Sequence, residues 1–435
     1  MTPAFPSRRA LLLSALAALS PITSCAGAKR QDAPPAPLFT DAEREAVRTY
    51  WNAPGRYAVR ASDMPPRLNI TVAGSLWYWN FLRLPPDPAR ADWWKLRFAH
   101  ERAKAFGTTP LPDNPGAFVG VDEPPALYET VQPTRYTVMF EGSPTLCVYE
   151  DGIDFGKRPA YYAYYRQTNG VIRPGVRVSE ATGAERDRLD ALFAKAGRTA
   201  FERRVLQAVS RYEGGFEAIN TYDTGFVSIG FLQFITAADG TGSLTTVLQA
   251  YKTADPVGFE GDFRRFGIDV AASPTVLVCV DPVTGVETRG ADAVIRVIND
   301  KRLTAVFERA AAFEGFRLAQ VSVARSRYYP AEDVFVIGNA TVRVGDIVKS
   351  EAGMATLMDK KVNKGNIREF AEIGAKIMAA RSLSDPLELS KYEREIIQAM
   401  KYRGDFLADK TLSQPPALPG VAPAAPPTPI PIRKR

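Results

Sequence analysis

A helical pattern gives way to a strand pattern at one pair of glycines near the middle of the chain. Apolar residues recur at helical spacing after Thr199, which together with Glu202 forms a capping-box signature. Two consecutive glycines, Gly214-Gly215, remove helix propensity, so we predict that the helix ends there with Glu213 in its last turn. The next segment, Phe226–Phe234, alternates imperfectly, as strands do. The sequence therefore predicts a carboxylate where a helix meets a small sheet.

The length and pattern of the chain predict several domains with an α+β fold. At 435 residues the chain has room for two or three hydrophobic cores. We predict an export signal (1–25), a linker (26–38), an aromatic-rich α/β N-terminal domain of unknown type (40–185), a mainly helical domain with a small β-hairpin sheet (186–410) and a disordered, proline-rich basic tail (411–435). No internal repeats are apparent.

The residue content excludes several kinds of chemistry. The single histidine, His100, rules out a multi-histidine metal centre, so we expect no metal and no cofactor. No Gly-x-Ser-x-Gly elbow accompanies that histidine, which argues against a Ser-His-Asp triad. Acid–base chemistry near neutral pH would then fall to carboxylates. The net charge of +7 and the pI near 9.2 favour an anionic partner but do not choose between cell wall, nucleic acid and membrane.

The N-terminus has the features of a bacterial export signal. Arg8-Arg9 precede the short apolar run Ala10–Leu19, and the segment resembles a twin-arginine signal. Ile22-Thr-Ser-Cys25 resembles a lipobox, which would make Cys25 a lipidated residue; a plain signal peptide is the alternative. We therefore expect a protein exported to the periplasm or outer membrane, with a possible lipid anchor. The two remaining cysteines, Cys147 and Cys279, either pair or remain buried free thiols.

The segment that follows the glycine pair carries further polar groups in order. Asp223 lies in a turn candidate after Tyr222, Ser228 lies in the strand pattern, and Gln233 follows it. At a helix C-terminus the dipole disfavours a second negative charge, so we expect the pKa of Glu213 to be raised. A carboxyl with a raised pKa and a second carboxylate are what the cleavage of a glycosidic bond requires.

These residues resemble the lysozyme-like superfamily. Phage-type lysozymes place Glu-Gly at a helix end, then a Tyr-x-Asp-Thr-like turn, then Thr-Ile-Gly; this chain has Glu213-Gly214, Tyr222-Asp223-Thr224 and Ser228-Ile229-Gly230. Asp223 directly follows Tyr222, without the intervening residue. The run Ser228–Gln233 is also similar to the Gly-Leu-Met-Gln signature of lytic transglycosylases, which use one catalytic glutamate.

The resemblance implies a role for each matched residue. Glu213 would be the general acid, Asp223 the second carboxylate, and Ser228 would occupy the threonine position and hold a water. Tyr222 and Gln233 would bind the glycan, and apart from the resemblance Asn363 is a further candidate for binding it. The alternative second carboxylates, expected as surface charges, are Glu217, Glu260, Asp262 and Asp269.

The implied activity is cleavage of the glycan strand of peptidoglycan. Three alternatives remain open: a muramidase-type hydrolase, a lytic transglycosylase that uses Glu213 alone, and an envelope lipoprotein that binds peptidoglycan without cleaving it. A chitosan-type hydrolase is a further possibility for the substrate. The expected partners are peptidoglycan strands and a membrane reached through the anchor, and no nucleic acid is expected.

Other segments carry structural predictions. All the tryptophans lie between Trp51 and Trp94; Trp77 and Trp79 would share one face of a strand, with core packing favoured over glycan binding. Strands are predicted around residues 136–140 and 145–149 and in a hairpin at 275–288. Ser243 is a candidate helix cap. One long helix is predicted over 310–321, and Lys360–Gly365 as a turn between two helices.

Overall fold

A computed structural model describes residues 36–151, 171–223 and 225–417, and these residues form an α+β fold. The helices are α1 (Asp41–Asn52), α2 (Val72–Phe81), α3 (Pro88–Ala105), α4 (Gly183–Lys195), α5 (Ala200–Ser210), α6 (Ser243–Ala254), α7 (Pro256–Asp262), α8 (Ala291–Asn299), α9 (Lys301–Ala310), α10 (Glu314–Tyr328), α11 (Val344–Ile347), α12 (Glu351–Lys364), α13 (Glu369–Arg381) and α14 (Glu393–Met400).

The strands are short and form small antiparallel sheets. They are β1 (Tyr57–Ala61), β2 (Arg67–Ile70), β3 (Tyr128–Val131), β4 (Thr134–Met139), β5 (Leu146–Glu150), β6 (Ile172–Arg173), β7 (Ile219–Asn220), β8 (Ser228–Ile229), β9 (Phe234–Ile235), β10 (Ile268–Ala272), β11 (Thr275–Val280), β12 (Glu287–Arg289), β13 (Val334–Ile337) and β14 (Ala340–Arg343). The sheets have the strand orders β1-β4-β5, β2-β3, β6-β7-β8-β9, β10-β11-β12 and β13-β14.

The described chain divides into two compact units, and neither is one continuous stretch. The larger contains the described residues up to 192 together with 210–323, and the smaller contains 193–209 and 324–417. All the strands up to β12 belong to the larger unit, whereas β13 and β14 belong to the smaller one.

Aromatic side chains from distant parts of the sequence form the core of the larger unit. The indole of Trp51, on α1, donates a hydrogen bond to the carbonyl of Phe266 over 3.0 Å. The ring of Phe140 lies 5.5 Å from that of Trp51 and 5.3 Å from that of Phe266. All three side chains are almost completely buried, so α1 is held to the segment before β10 by hydrophobic burial and one indole hydrogen bond.

Helix α12 is the centre of the smaller unit. Most of its residues are buried, among them the charged Glu351 and Asp359. Arg403 contacts the Asp359 carboxylate at 2.7 Å, and Arg204 pairs with Glu351. A buried carboxylate is tolerated when a cation and hydrogen bonds replace its lost hydration, and both groups meet that condition.

Several predicted elements are confirmed by the structure. The capping boxes at Thr40 and Thr199 both form. Gly197 follows the end of α4 with a positive φ, as a helix stop requires. The predicted strands around 136–149 are β4 and β5, and the predicted hairpin at 275–288 is β11 and β12.

Other predicted elements are wrong. Residues 77–79 belong to helix α2 and not to a strand. The single helix predicted over 310–321 is broken at 311–313 into α9 and α10. Residues 360–364 continue α12 up to Gly365 instead of forming a turn. Ser243 begins α6, but its hydroxyl accepts from the Ile235 amide of β9 and caps nothing.

Candidate functional site

The helix ends earlier than predicted, so Glu213 lies in the turn after α5 and not in the last turn of the helix. Helix α5 ends at Ser210, and the amides of Glu213 and Gly214 both donate to the Ser210 carbonyl, at 2.9 and 3.2 Å. The Glu213 side chain is partly exposed. The helix therefore ends in a closed turn that carries the carboxyl directly beyond the helix terminus.

The glycine pair allows another chain segment to pass close by. A Cβ at Gly214 would lie 2.5 Å from the Pro174 carbonyl oxygen, and a Cβ at Gly215 would lie 2.1 Å from that of Val176. Gly214 also has a φ of +131°. Neither position therefore has room for a larger residue. This close approach requires glycine more strictly than the end of the helix does.

A sheet of two-residue strands follows this loop. β7 pairs with β8 so that Asn220 lies opposite Ser228, and Asp223 lies in the connection between them. The Asp223 carboxylate accepts from the Asn220 side-chain amide at 3.0 Å and from the Gly225 backbone amide at 2.8 Å. Both carboxylate oxygens thus hold the turn, and the side chain remains partly exposed.

Ser228 lies beneath this turn. Its side chain is 1% exposed and its hydroxyl oxygen has no hydrogen-bond partner. A Cβ at Gly225 would lie 2.5 Å from that oxygen and 3.0 Å from an Asp223 oxygen, so the two side chains approach the same point. A water held by Ser228 would therefore have to be an internal one.

Three residues with a left-handed backbone lie in the β7–β8 connection, in the β8–β9 connection and just after β9. Phe226, Gln233 and Ala237 have φ values of +60°, +51° and +51°. The Gln233 amide group donates to the Gly230 carbonyl at 3.0 Å, so this side chain stabilises its own turn. The Tyr222 backbone amide is bonded to the side chain of Asn220 at 2.9 Å, and the residue is partly exposed. Strained residues gather at functional sites more than elsewhere, which favours this segment as a site.

A cavity of about 290 Å³ opens beside the loop, and Glu217 lines it rather than Glu213. The lining is mixed, and comprises Val176, Arg177, Val178, Ala181, Glu185, Leu189, Phe216, Glu217 and Arg317. Glu217 accepts from the Val176 amide at 2.6 Å. Phe216 packs on Phe231 with ring centres 4.9 Å apart, so these two rings pack against each other in the core.

Two buried polar residues near the site were not predicted. Glu308, on α9, pairs with Arg173 of β6 at 2.9 Å. Burial raises the pKa of the Glu308 carboxyl, and the charge of Glu217 raises it further. Gln320, on α10, is fully buried and lies four residues from Phe316 and from Ala324. The sequence signal available for Gln320 was its helical spacing from apolar residues on either side, which indicates the buried face of the helix.

The remaining predicted carboxylates and Asn363 have contacts of their own. Asp269 is fully buried between Lys252 and Arg264, and Asp262 accepts from the Tyr251 hydroxyl at 2.8 Å, so the surface location expected for both is wrong. Glu260 is exposed, as expected, and partial desolvation raises the pKa of its carboxyl. Asn363 belongs to the smaller unit, where it is 4% exposed and donates to the Asp359 carbonyl at 2.8 Å.

Both cysteines that the structure describes are free thiols. Cys147 and Cys279 are buried, and burial raises the pKa of each to about 12. Within residues 36–151, 171–223 and 225–417, no group of three or more His, Cys, Asp or Glu side chains is arranged to bind a metal. Over the same residues, none of the helices has the length and apolar character needed to cross a bilayer.

Comparison with known proteins identifies no relative. No protein-family model matches the chain, and neither does any curated protein or any solved structure.

Proposed function

We propose that this protein cleaves the glycan strand of peptidoglycan, with Glu213 as the proton donor. The proposal treats residues 186–410 as a lysozyme-like domain. One observation carries it: helix α5 ends three residues before Glu213, and the chain then forms three of the four two-residue strands of one sheet, with Asp223 in the connection between β7 and β8. This is the order of elements on which the resemblance to phage-type lysozymes depends.

The chemistry assigns one step to each carboxyl group. Glu213 gives its proton to the glycosidic oxygen as the bond to the anomeric carbon breaks. Asp223 stabilises the positive charge that develops on the sugar, or takes a proton from the water that adds to the anomeric carbon. The hydrogen bonds from Asn220 and Gly225 fix Asp223 before a substrate arrives, as preorganised electrostatic stabilisation requires.

The same hydrogen bonds also support a transglycosylase. With both carboxylate oxygens committed to the turn, Asp223 can act as a positioning residue while Glu213 acts alone. A hydroxyl of the same sugar then attacks the anomeric carbon, its proton passes to Glu213, and the product is an anhydro sugar. Asp223→Asn separates the two mechanisms, because only the hydrolase needs a charge at this position.

A second candidate function is binding of peptidoglycan without cleavage. Two observations favour it: Glu213 does not line the cavity beside the loop, and the Ser228 hydroxyl is buried. For either function we propose export to the bacterial periplasm or outer membrane, with Cys25 as the site of a lipid anchor.

The test is digestion of purified peptidoglycan sacculi with the products identified by mass spectrometry. We expect Glu213→Gln to lower the rate roughly a hundredfold or more, the effect of losing a general acid. Glu217→Gln is the matched control, because it removes a carboxyl of the same loop four residues further on.

The pattern of losses decides between the candidates. Hydrolysis predicts that Asp223→Asn is also inactive and that no anhydro sugar forms. Transglycosylation predicts anhydro products and an active Asp223→Asn variant. Binding of sacculi by the unaltered protein without any cleavage favours the second candidate. Loss of activity in Glu217→Gln but not in Glu213→Gln contradicts the assignment of the proton donor.

A further inference from the structure

The cavity beside Phe216 is not used by the chemistry proposed for Glu213. Its walls come from three parts of the larger unit: the segment from Val176 to Leu189, the loop after α5, and helix α10. Ligand sites in proteins have volumes of about 300–1,000 Å³. At about 290 Å³, and partly open to solvent, this cavity has room for a small molecule that enters from outside.

One side of the cavity is apolar. Its buried apolar residues are Val178, Ala181, Leu189 and Phe216. Val176 adds apolar surface at the rim, where its side chain is 66% exposed. An aliphatic group that packs on this side leaves water and covers apolar protein surface at the same time, so the cavity suits a ligand with such a group.

The guanidinium of Arg317, on α10, is held in place in the same cavity. Its Nε donates to the Ala311 carbonyl at 2.5 Å, and its Cζ lies 5.4 Å from the centre of the Phe216 ring. Among residues 36–151, 171–223 and 225–417, no carboxylate forms an ion pair with Arg317. The two terminal nitrogens are therefore oriented by existing contacts and can bind a carboxylate with two parallel hydrogen bonds.

Glu217 adds a negative charge to the lining. One of its carboxylate oxygens accepts from the Val176 amide at 2.6 Å, and the other has no hydrogen bond to any residue that the structure describes. Glu217 forms no ion pair with Arg317, although both line the cavity. Glu308, the carboxyl group whose pKa the charge of Glu217 raises, is paired with Arg173 at 2.9 Å.

The other charged residues of the lining have partners at the rim. Arg177 pairs with Glu180 at 3.2 Å, and Glu185 pairs with Arg188 at 2.7 Å. Glu314, one turn earlier on α10 than the arginine of the cavity, is not part of the lining. Each rim pair is neutral as a whole, so the cavity presents one cation and one anion that do not contact each other.

We infer that this cavity binds a small ligand with an ammonium group, a carboxylate and an aliphatic side chain. Free apolar amino acids and short apolar peptides have this chemistry. The ligand carboxylate accepts from Arg317, the ammonium donates to Glu217, and the aliphatic group packs on Leu189. Each charge of the ligand replaces the water that otherwise hydrates one protein group, and the paired contacts offset that loss of hydration.

This binding is independent of the cleavage proposed for Glu213. It involves no bond breaking, and Glu217 takes no part in proton transfer to a glycan. A protein that fails to cleave sacculi therefore still tests the inference, and a protein that cleaves them without binding such a ligand contradicts the inference alone.

The test is isothermal titration calorimetry of the full chain with four compounds. Leucine and the dipeptide leucyl-alanine carry both charges, whereas leucinamide lacks the carboxylate and N-acetylleucine lacks the ammonium group. We expect saturable binding of leucine or of the dipeptide at one site, and the tighter of the two identifies the source of the ligand. Each leucine derivative should bind roughly tenfold more weakly or worse than leucine, because one charge-assisted contact is lost.

Two variants locate the site. Arg317→Gln should weaken leucine binding roughly tenfold or more and should not change the affinity for leucinamide, since the contact that it removes is already absent there. Ala181→Leu fills the apolar side and should block binding of every compound. Arg186→Gln is the control, because Arg186 is exposed on α4 and does not line the cavity. Thermal melting of each variant verifies that the fold is retained.

Three results overturn the proposal. One is the absence of saturable binding of both leucine and leucyl-alanine at millimolar concentrations. Another is equal affinity for leucine, leucinamide and N-acetylleucine, since the charges would then contribute nothing. The third is unchanged leucine binding in a folded Arg317→Gln variant.

Discussion

The side-chain amide of Gln320 donates a hydrogen bond to the backbone carbonyl of Phe216 over 3.3 Å, which joins α10 to the loop that follows Glu213. The two residues are 104 positions apart in sequence. The other end of the same amide faces Gly230, where a Cβ would lie 2.1 Å from the Gln320 oxygen. One buried side chain is therefore bonded to the loop and lies against the hairpin of the candidate site.

This arrangement predicts that Gly230→Ala is strongly destabilising. The substitution places a Cβ against the Gln320 oxygen at a backbone φ of +87°, where an L-residue is disfavoured by about 1–2 kcal/mol before the steric overlap is added. The measurement is the free energy of unfolding from urea denaturation. Gly261→Ala is the control, since a Cβ there meets nothing within 4 Å.

The double variant Gly230→Ala/Gln320→Ala identifies the source of the effect. If the overlap with Gln320 is responsible, the pair of substitutions destabilises less than the sum of the single ones, because the truncated side chain no longer meets the new methyl group. Strict additivity would leave backbone strain as the whole explanation.

We predict that replacing serine with alanine has opposite effects on stability at Ser228 and Ser243. Both side chains are 1% exposed, but the Ser228 hydroxyl has no partner whereas the Ser243 hydroxyl accepts from the Ile235 amide at 2.9 Å. Removing an unpaired buried hydroxyl relieves its desolvation, so Ser228→Ala should be neutral or stabilising by about 1 kcal/mol. Ser243→Ala leaves a partly buried amide unpaired and should destabilise by about 1 kcal/mol.

The same pair tests whether Ser228 contributes to function. A stabilised Ser228→Ala variant that cleaves or binds peptidoglycan less well would mean that the unpaired hydroxyl is retained for activity, since stability is often lost where function requires an unsatisfied group. Unchanged activity would leave Ser228 with no part in the site.

Local sequence rules predicted the parts of the fold that local contacts determine. The capping boxes at Thr40 and Thr199 and the stop at Gly197 depend on hydrogen bonds within one turn, and each is present. The end of α5 was predicted only approximately, because the helix stops at Ser210, before the glycines at which its propensity is lost.

Parts that depend on distant contacts were not predictable. Helix α2 is an exception, because its start has a local signal, the Thr71 hydroxyl that accepts from the Gly74 amide. Gln320 and Glu308 lie in helices where a polar residue is usually exposed, and their burial follows from partners far away in sequence. The cavity lined by Glu217 likewise forms from segments that the sequence does not connect.

The resemblance of Ile22–Cys25 to a lipobox predicts covalent lipidation at Cys25 in a bacterial host. Growth with a labelled fatty acid should give a labelled protein, and Cys25→Ser should remove the label, because the thiol is the acceptor that the resemblance implies. Cys147 and Cys279 are buried, so they do not provide an alternative acceptor. Label that persists in Cys25→Ser would contradict the anchor.

We predict that the buried Lys301 makes the free energy of unfolding depend on pH. One substitution can isolate this contribution. The Lys301 side chain is fully buried, and its ammonium donates to the Ile298 carbonyl at 2.5 Å. Burial lowers the pKa of Lys301 from 10.5 to about 8, although Asp151 and Asp300 act against the shift. Between these two pH values the unfolded chain binds more protons than the folded chain, so this group makes the free energy of unfolding rise with pH.

The replacement Lys301→Met removes the titrating group and keeps most of the side-chain volume. At pH 7 burial of the protonated amine destabilises the parent protein fully. By pH 10 the amine has lost its proton in the folded state, and most of this destabilisation is gone. The stability of Lys301→Met relative to the parent should therefore fall by about 2 kcal/mol between pH 7 and pH 10. The two cysteines also titrate at high pH, but they are present in both proteins and cancel in the difference.

Urea denaturation at several pH values measures this difference. Leu303→Met is the control: Leu303 is equally buried on α9 and does not titrate, so its difference from the parent should be constant with pH. A constant difference for Lys301→Met as well would mean that Lys301 keeps its proton through this range, and that its carboxylate neighbours outweigh the desolvation.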